Sequence, residues 1–367
     1  MRPLFPDGRI QQPMMAKPLN YSQQSISEDD IAAVVRVMRS PYLTQGPEVE
    51  RFEASLCAYT GAKYAVAVSS GTAALHLAYV VAHKGRLMTS PLSFVATANA
   101  GLMAGMDVVF RDVDPATGNV SLPGYHDCLS VPVHFAGRTA PIPSDGKAVV
   151  VEDACHALGA MDFDGSSRVG SCAHSLASVF SFHAVKPITT GEGGAVTTND
   201  EGFADAVRLL RSHGRLGSEM VELGFNYRLT DIQAALGTSQ LERCDEMLRR
   251  RLCHSKSYHS QLQDFDDLLV LPGLSSRHAW HLYPVRIKNG KRDAVKAELN
   301  AQGIGAQVHY SPIIPLQPYY RSRFGYKEGD FPEAEAWAAE TLSLPLHAKM
   351  TEADVTRVVS ALREVLS

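Results

Sequence analysis

Residues 180–200 read FSFHAVKPITTGEGGAVTTND. An apolar, strand-like run (SVFSF, 178–182) leads to Lys186 and a proline, then to GEGG at 191–194 and a second strand-like run, AVTT, at 195–198. Glycine reaches backbone angles closed to other residues, so GEGG lets the chain turn sharply from the first strand into the second. Lys186 therefore stands where a strand meets a tight turn, on a stretch otherwise suited to burial. In an apolar site a lysine amine is driven towards its neutral, nucleophilic form and can make a Schiff base with an aldehyde. Taken alone, it reads equally as a surface lysine at a hairpin mouth.

Working outward, short apolar strands interleave with helices. AVAV (65–68) precedes the helical GTAALHLAYVVAHKG (71–85), and DVVFRDV (107–113), SVPVHF (130–135) and KAVVVED (147–153) read as further strands. This pattern predicts an α/β fold with a mostly parallel central sheet covered by helices. In such sheets ligands bind beyond the carboxyl ends of the strands. Upstream, Ser27-Glu28-Asp29-Asp30 ahead of Ile31, Val34, Val35 and Met38 predicts a capped amphipathic helix, and EVERFEASLCAYT a second one ending at Gly61. From Leu229 the pattern changes to one long helical stretch over 229–263. A strand (AWHLYPVRI, 279–287), a helix (292–303) and a terminal helix capped by Thr351 follow. Three segments are expected: an N-terminal arm or vector-derived segment over 1–20, a large domain over 21–245 and a smaller α+β domain over 246–367.

The chain has 367 residues, 45% hydrophobic and 20% charged, with a formal net charge of −4, as in an ordinary soluble enzyme. Without a concentrated basic surface, nucleic-acid binding is not expected. The six cysteines form no C-x-x-C and no zinc-finger spacing, so no metal site is expected and reduced thiols in the cytoplasm are the simplest assignment. The uncharged run LMTSPLSFVATANAGLMAGM (87–106) has the length of a membrane span, but its polar residues, Pro and Gly fit a buried strand–loop–helix better.

Two more constellations belong at strand ends. Ser69-Ser70-Gly71-Thr72-Ala73 opens a helix directly after AVAV, where free backbone N–H groups and hydroxyls suit a phosphate, although N-capping alone would also explain them. The chain lacks the Walker A pattern, and GEGGAV fails the G-x-G-x-x-G dinucleotide fingerprint. KAVVVEDACH delivers Glu152, Asp153 and His156 to a strand end. A carboxylate ~3 Å from a cationic ring nitrogen gains roughly 5 kcal/mol at an effective dielectric of ~20, enough to keep a pyridine nitrogen protonated. His156 reads equally as a hydrogen-bonded core histidine. A phosphate cup, an acid for a ring nitrogen and an imine-forming lysine together describe a pyridoxal 5'-phosphate (PLP) site.

SSGTAAL, LSFVATANA, VEDACHALGA, FSFHAVKPITTGEGGAVTTND, FNYRLTDIQAALG and VHYSPIIPLQPYY occur in the order found in the DegT/StrS sugar aminotransferases, and the chain resembles that family over roughly residues 18 to 365. YLTQGPEVERFE and LSLPLHAKMT look most like its UDP-4-amino-4,6-dideoxy-N-acetyl-β-L-altrosamine transaminase branch, which serves pseudaminic acid synthesis. The resemblance implies a PLP fold-type I enzyme, cytoplasmic and homodimeric, with active sites at the subunit interface. It implies that Lys186 holds the cofactor and shuttles the proton, that Asp153 pairs with the ring nitrogen, that Phe94 lies on the ring face and that His156 sits near the ring hydroxyl. Thr72, Ala73 and Ser181 would hold the phosphate with Asn226 of the partner chain, and Arg228 would add charge there or at the nucleotide. His183, His309 and Tyr310 are expected near the sugar. The implied reaction takes an amine from L-glutamate and places it on the fourth carbon of a UDP-linked or other nucleotide-linked 4-keto-6-deoxy sugar, for bacterial surface-glycan or nonulosonic acid synthesis. Enzymes for perosamine- or bacillosamine-type sugars share most of these segments. The family's dehydratases carry histidine in place of the lysine, which Lys186 argues against. The linkers HKGRLMTSPLSFVATANA and LPGYHDCLSVPVHFAGRTAPIPSDGK are shorter than the family's usual ones, which implies shortened surface loops. A non-catalytic regulator and a carbon–sulfur lyase are the rivals from other classes.

Overall fold

A computed structural model describes residues 17–123, 127–143, 148–265 and 267–366. The expected arm falls outside the described residues up to position 16, as does Lys147 at the start of one expected strand.

The main sheet has seven strands: β1 (Tyr64–Val68), β2 (Arg86–Thr89), β3 (Asp107–Phe110), β4 (Cys128–Val131), β5 (Val149–Asp153), β6 (Ala177–Ser181) and β7 (Gly194–Thr198). Their order is β1-β7-β6-β5-β4-β2-β3. All pairings are parallel except the two made by β7, which runs antiparallel to both β6 and β1. The β6–β7 connection explains this: it returns the chain beside the strand it left, as a hairpin does, whereas the other strands are joined through crossovers. Strands β4 to β7 are buried almost throughout, as expected of a sheet covered on both faces. Helices α1 (Glu28–Met38), α2 (Pro47–Thr60), α3 (Gly71–Ala82), α4 (Ala96–Met103), α5 (Glu201–Arg211) and α6 (Asp231–Glu242) accompany it, and a short exposed hairpin, β8 (Arg215–Leu216) with β9 (Glu219–Met220), projects after α5. Ser27 and Asp30 form the reciprocal cap expected of α1, and Gly61 ends α2 at φ +87°.

The expected long helix over 229–263 is two helices, α6 and α7 (Cys244–Leu262), broken at Arg243. Gly237 is not the break; it sits inside α6, where a Cβ would lie 2.7 Å from the Phe52 ring, so it permits close helix packing. At the break, the Arg243 guanidinium reaches the buried Asp30 carboxylate and the Ser25 carbonyl. The strand expected over 130–135 ends at Val131, because Pro132 has no N–H for the ladder. Residues 135–137 instead form a 3-10 turn with Ala136 at φ +58°. The strand expected from 279 begins at Tyr283, for Trp280 lies at φ +49°.

A second, antiparallel sheet is built from β10 (Leu269–Val270), β11 (Tyr283–Ile287) and β12 (Thr341–Leu344) in that order. It packs with α7, α8 (Arg292–Ala301) and α11 (Glu352–Leu366) around Trp280, Tyr258, Leu299 and Val358, while α9 (Pro318–Phe324) and α10 (Pro332–Glu340) lie between the last strands. Each such fully buried large side chain contributes roughly 1.5–3 kcal/mol.

Candidate active site

Strands β1, β5 and β6 end at the same edge of the main sheet, where β7 begins. Gly194 pairs with Val68 on one side and Ser181 on the other. A Cβ at Gly194 would stand 2.5 Å from the Ser70 carbonyl, so glycine is required for β7 to pass the start of α3. Gly191 takes φ +79°, completing the turn. The glycines thus serve the expected purpose of letting the backbone leave without crowding the strand ends.

A cavity of about 440 Å³ opens at this edge, within the roughly 300–1,000 Å³ typical of small-molecule sites. Lys186, Asp153, His156, Ser181, His183, Thr72, Phe94, His309 and Tyr310 all line it. Asp153 and Glu152 alternate on β5 and so face opposite ways. Glu152 is buried in a polar knot, accepting from Ser178 at 2.8 Å and lying 2.8 Å from His134 Nε2. Burial raises its pKa, but the His134 and serine contacts outweigh this and hold it low. Asp153 faces the cavity and is held by two donors: Thr97 Oγ1 at 2.7 Å and the Cys155 backbone N–H at 3.2 Å.

Burial pushes the Lys186 amine below the usual lysine range, against the opposing pull of Cys155 and Asp153. Its backbone N–H closes a turn onto His183 O. The Ser70 hydroxyl caps α3 by accepting from Ala73 N, while the first amides of the helix face the strand ends with no carbonyl before them. Ala73 itself is buried behind this turn. Gly71 is pressed against Ser181, since a Cβ there would meet the Ser181 Cβ at 2.9 Å. His156 Nε2 lies 3.1 Å from Tyr310 Oη, and its Nδ1 is enclosed without a partner. Burial first, then Lys186 and His309, keep His156 well below the ordinary histidine pKa, and burial with nearby lysines takes His309 down to about 4. His183 is exposed and 3.8 Å from Glu192. Phe94 is 58% exposed at the mouth, its ring 6.2 Å from that of Tyr310.

Two expected residues lie elsewhere. Asn226 is exposed and bridges Ser212; Arg228 bridges Val68 and lines a separate surface pocket with Gln45, Glu50, Glu53, Arg208 and Arg211. Sequence reasoning missed Thr97, Tyr21, Cys155, Glu192 and His281, which also line the cavity. Thr97 stands three residues after Phe94 in the same motif, and Glu192 within GEGG, so both were within reach. Tyr21 and His281 come from distant segments with no local signal.

The half-buried lysine, the doubly held carboxylate and the open helix start with Ser181 beside it match the aldehyde, ring nitrogen and phosphate of PLP, so the residues present fit that group.

Residues 24–363 match the profile of the DegT/DnrJ/EryC1/StrS aminotransferase family. The UDP-4-amino-4,6-dideoxy-N-acetyl-beta-L-altrosamine transaminase of Campylobacter jejuni is 36% identical, over 95% of this chain and 97% of its own. Among solved structures, Helicobacter pylori PseC, an aminotransferase of pseudaminic acid biosynthesis, superposes with a TM-score of 0.86 at 32% identity, covering 95% of this chain and 99% of that one. A Streptococcus pneumoniae protein described as a sugar aminotransferase, solved in PLP and PMP forms, superposes at 0.85 and 0.86 with 26% identity, covering 95% of this chain and 100% and 98% of those chains.

Proposed function

The chain belongs to the DegT/DnrJ/EryC1/StrS family of PLP-dependent sugar aminotransferases, and from that premise we propose that it moves an amino group from L-glutamate to the fourth carbon of a nucleotide-linked 4-keto-6-deoxy sugar. The observation that carries this reading is Lys186, half-buried beyond the β6 end and lining one cavity with Asp153 and with Ser70, Gly71 and Thr72 at the start of α3. Bound PLP supplies the electron sink and carries the amine between donor and acceptor. Lys186, whose amine is pulled below the usual lysine range by burial, would receive and return the proton at the reacting carbon. Asp153, held by Thr97 and Cys155, would pair with the ring nitrogen and keep it charged. Thr72, Ala73 and Ser181 would hold the phosphate at the helix start, His156 would lie near the ring hydroxyl and Phe94 would cover the ring. His183, His309 and Tyr310 line the sugar's side of the cavity.

The Campylobacter and Helicobacter relatives point to a UDP-linked sugar of pseudaminic acid synthesis. A homodimer is supported by the position of Asn226 and Arg228 away from their own cavity. The exposed apolar residues Leu216, Met220, Val221 and Leu223 around the β8–β9 hairpin also favour a second copy. No described helix is long and apolar enough to cross a membrane, which suits a cytoplasmic enzyme. We place the division between the domains near residue 245, at the start of α7.

The test is the visible absorption spectrum of the purified protein before and after L-glutamate, with Lys186→Ala alongside, followed by product analysis with UDP-linked 4-keto-6-deoxy sugars. Conversion to the amine form by the wild type alone, and a 4-amino sugar product, are expected. Continuous release of ammonia and keto acid from an amino acid would identify a lyase instead; failure to bind PLP or to respond to any amino donor would favour a regulator.

A further inference from the structure

His281 is buried at 4% exposure yet lines the catalytic cavity. Among the described residues, its Nδ1 is enclosed without a hydrogen-bond partner. Leaving a buried polar atom unpaired costs about 1–3 kcal/mol, so the ring is held there by something else. The backbone shows what. Trp280, the residue before it, takes φ +49°, a conformation that is an outlier for so bulky a residue. The turn is clamped from three sides. Trp280 N–H donates to His278 Nδ1 at 2.8 Å, under a parallel ring stack of 4.1 Å. The fully buried Arg251 guanidinium donates to the carbonyls of Trp280 at 3.2 Å, His281 at 3.3 Å and Leu346 at 2.8 Å. Ala136 and Gly137, themselves at φ +58° and +99°, bond Leu282 N and Ala279 N. Glycine is required at 137, because a Cβ there would meet His156 O at 2.9 Å and His281 N at 3.1 Å.

This interlock joins two segments far apart in sequence and sets the His281 ring 4.3 Å from that of His156, whose Nε2 lies 3.1 Å from Tyr310 Oη. We propose that His281 is a positioning residue of the transamination site, whose clamped ring fixes the orientation of His156 and excludes water from it, so that His156 offers a neutral imidazole to the ligand. The proposal rests on the aminotransferase reading above. The charged and titratable groups facing this pair are Lys186 from the β6–β7 turn, His309 and Tyr310 from the small domain, Arg251 from α7, and Asp153 and Cys155 beside His156. Burial dominates over all of them in keeping both imidazoles neutral. A space opened at His281 admits water and returns His156 towards the ordinary histidine range of about 6.5.

The test is a pH titration by NMR of protein carrying carbon-13-labelled histidine, with the His156 signal identified by its loss in His156→Gln. In parallel, the pH dependence of the bound cofactor's absorption is followed. We expect His156 in the wild type to titrate well below the ordinary histidine range. In His281→Ala a transition should appear, moved up by about one pH unit or more, and the acid limb of kcat/KM should move with it. His281→Phe, which refills the space without ring nitrogens, should restore the wild-type titration. A His156 titration unchanged in His281→Ala, or shifted equally in His281→Phe, overturns the proposal. Should His281→Ala not fold, His281→Asn is read by the same criteria. The NMR titration needs no turnover, so a wild type that fails to respond to L-glutamate sinks the aminotransferase reading while leaving this readout intact.

Discussion

Acid should unfold this protein well before its carboxylates titrate. Packing pushes His309 and His347 down to about 4 and His278 to about 3, in each case chiefly through burial. All three are neutral in the fold at pH 5, whereas in the unfolded chain they take up protons below about 6.5. The folded pKa is depressed, so the stability these groups contribute is present above about 6.5 and is lost as pH falls towards the folded values. At 1.36 kcal/mol per unit, each loses about 2 kcal/mol between pH 7.5 and 5, and the three together about 6 kcal/mol as an upper figure. That is comparable with the total stability of an ordinary domain, about 5–15 kcal/mol. Asp30, Glu152 and Asp245, whose pKa values are lowered, add their own loss only below about 4, so the window from 6.5 to 5 belongs to histidine.

The assay is the urea midpoint and slope of the holoprotein at pH 7.5, 6.5, 5.5 and 5.0, with cofactor and protein concentrations fixed. His347 gives the internal control, because both its ring nitrogens are buried without partners among the described residues. His347→Phe should reduce the loss between pH 7.5 and 5 by about 2 kcal/mol. A midpoint that is flat across this range, or a variant with the same pH dependence as the wild type, would refute the reasoning.

Other perturbations separate the site from its scaffold. Thr97→Val removes the 2.7 Å donor to Asp153, and hydrogen bonds to charged groups contribute about 1.5–3 kcal/mol, so PLP should bind roughly 10- to 100-fold more weakly in a spectroscopic titration. Gly194→Ala should lower cofactor affinity more than it lowers the thermal midpoint, because its Cβ would displace the Ser70 carbonyl at the start of α3. Gly237→Ala gains about 1 kcal/mol in helix propensity but pushes a methyl against Phe52, a cost of about 1–3 kcal/mol, and the denaturation midpoint should fall with cofactor affinity unchanged.

Much of this architecture was legible because local chemistry announces it. The strand-to-lysine-to-glycine stretch, the helix start at Ser70 and the acid pair ending β5 are contiguous signals, and they fall at one sheet edge. What escaped was set by tertiary contact. Nothing in ERCDE announces that Arg243 will break a long helix to reach Asp30, since the partner lies over two hundred residues away. Residue type alone does not separate Glu152 from Asp153; the family resemblance picks out Asp153, while strand alternation sends Glu152 to a buried His134 and Asp153 to the cavity. His281 sits in AWHLYPVRI, which reads as continuous strand; the turn that aims it depends on Arg251 and Gly137, neither of them nearby in the chain.

The antiparallel β7 ties these observations to function. A parallel strand in its place would need a crossover after β6, and the segment carrying Lys186 would then lead away from the sheet edge. Because β7 returns at once between β6 and β1, the turn that bears the lysine is pinned over the gap between Ser181 and Ser70. The same return forces Gly194 against the start of α3, so the lysine and the phosphate-binding helix are held in register by one backbone contact. A side chain at 194 would therefore loosen two parts of the site together. This is why the Gly194→Ala prediction concerns cofactor affinity first and global stability second.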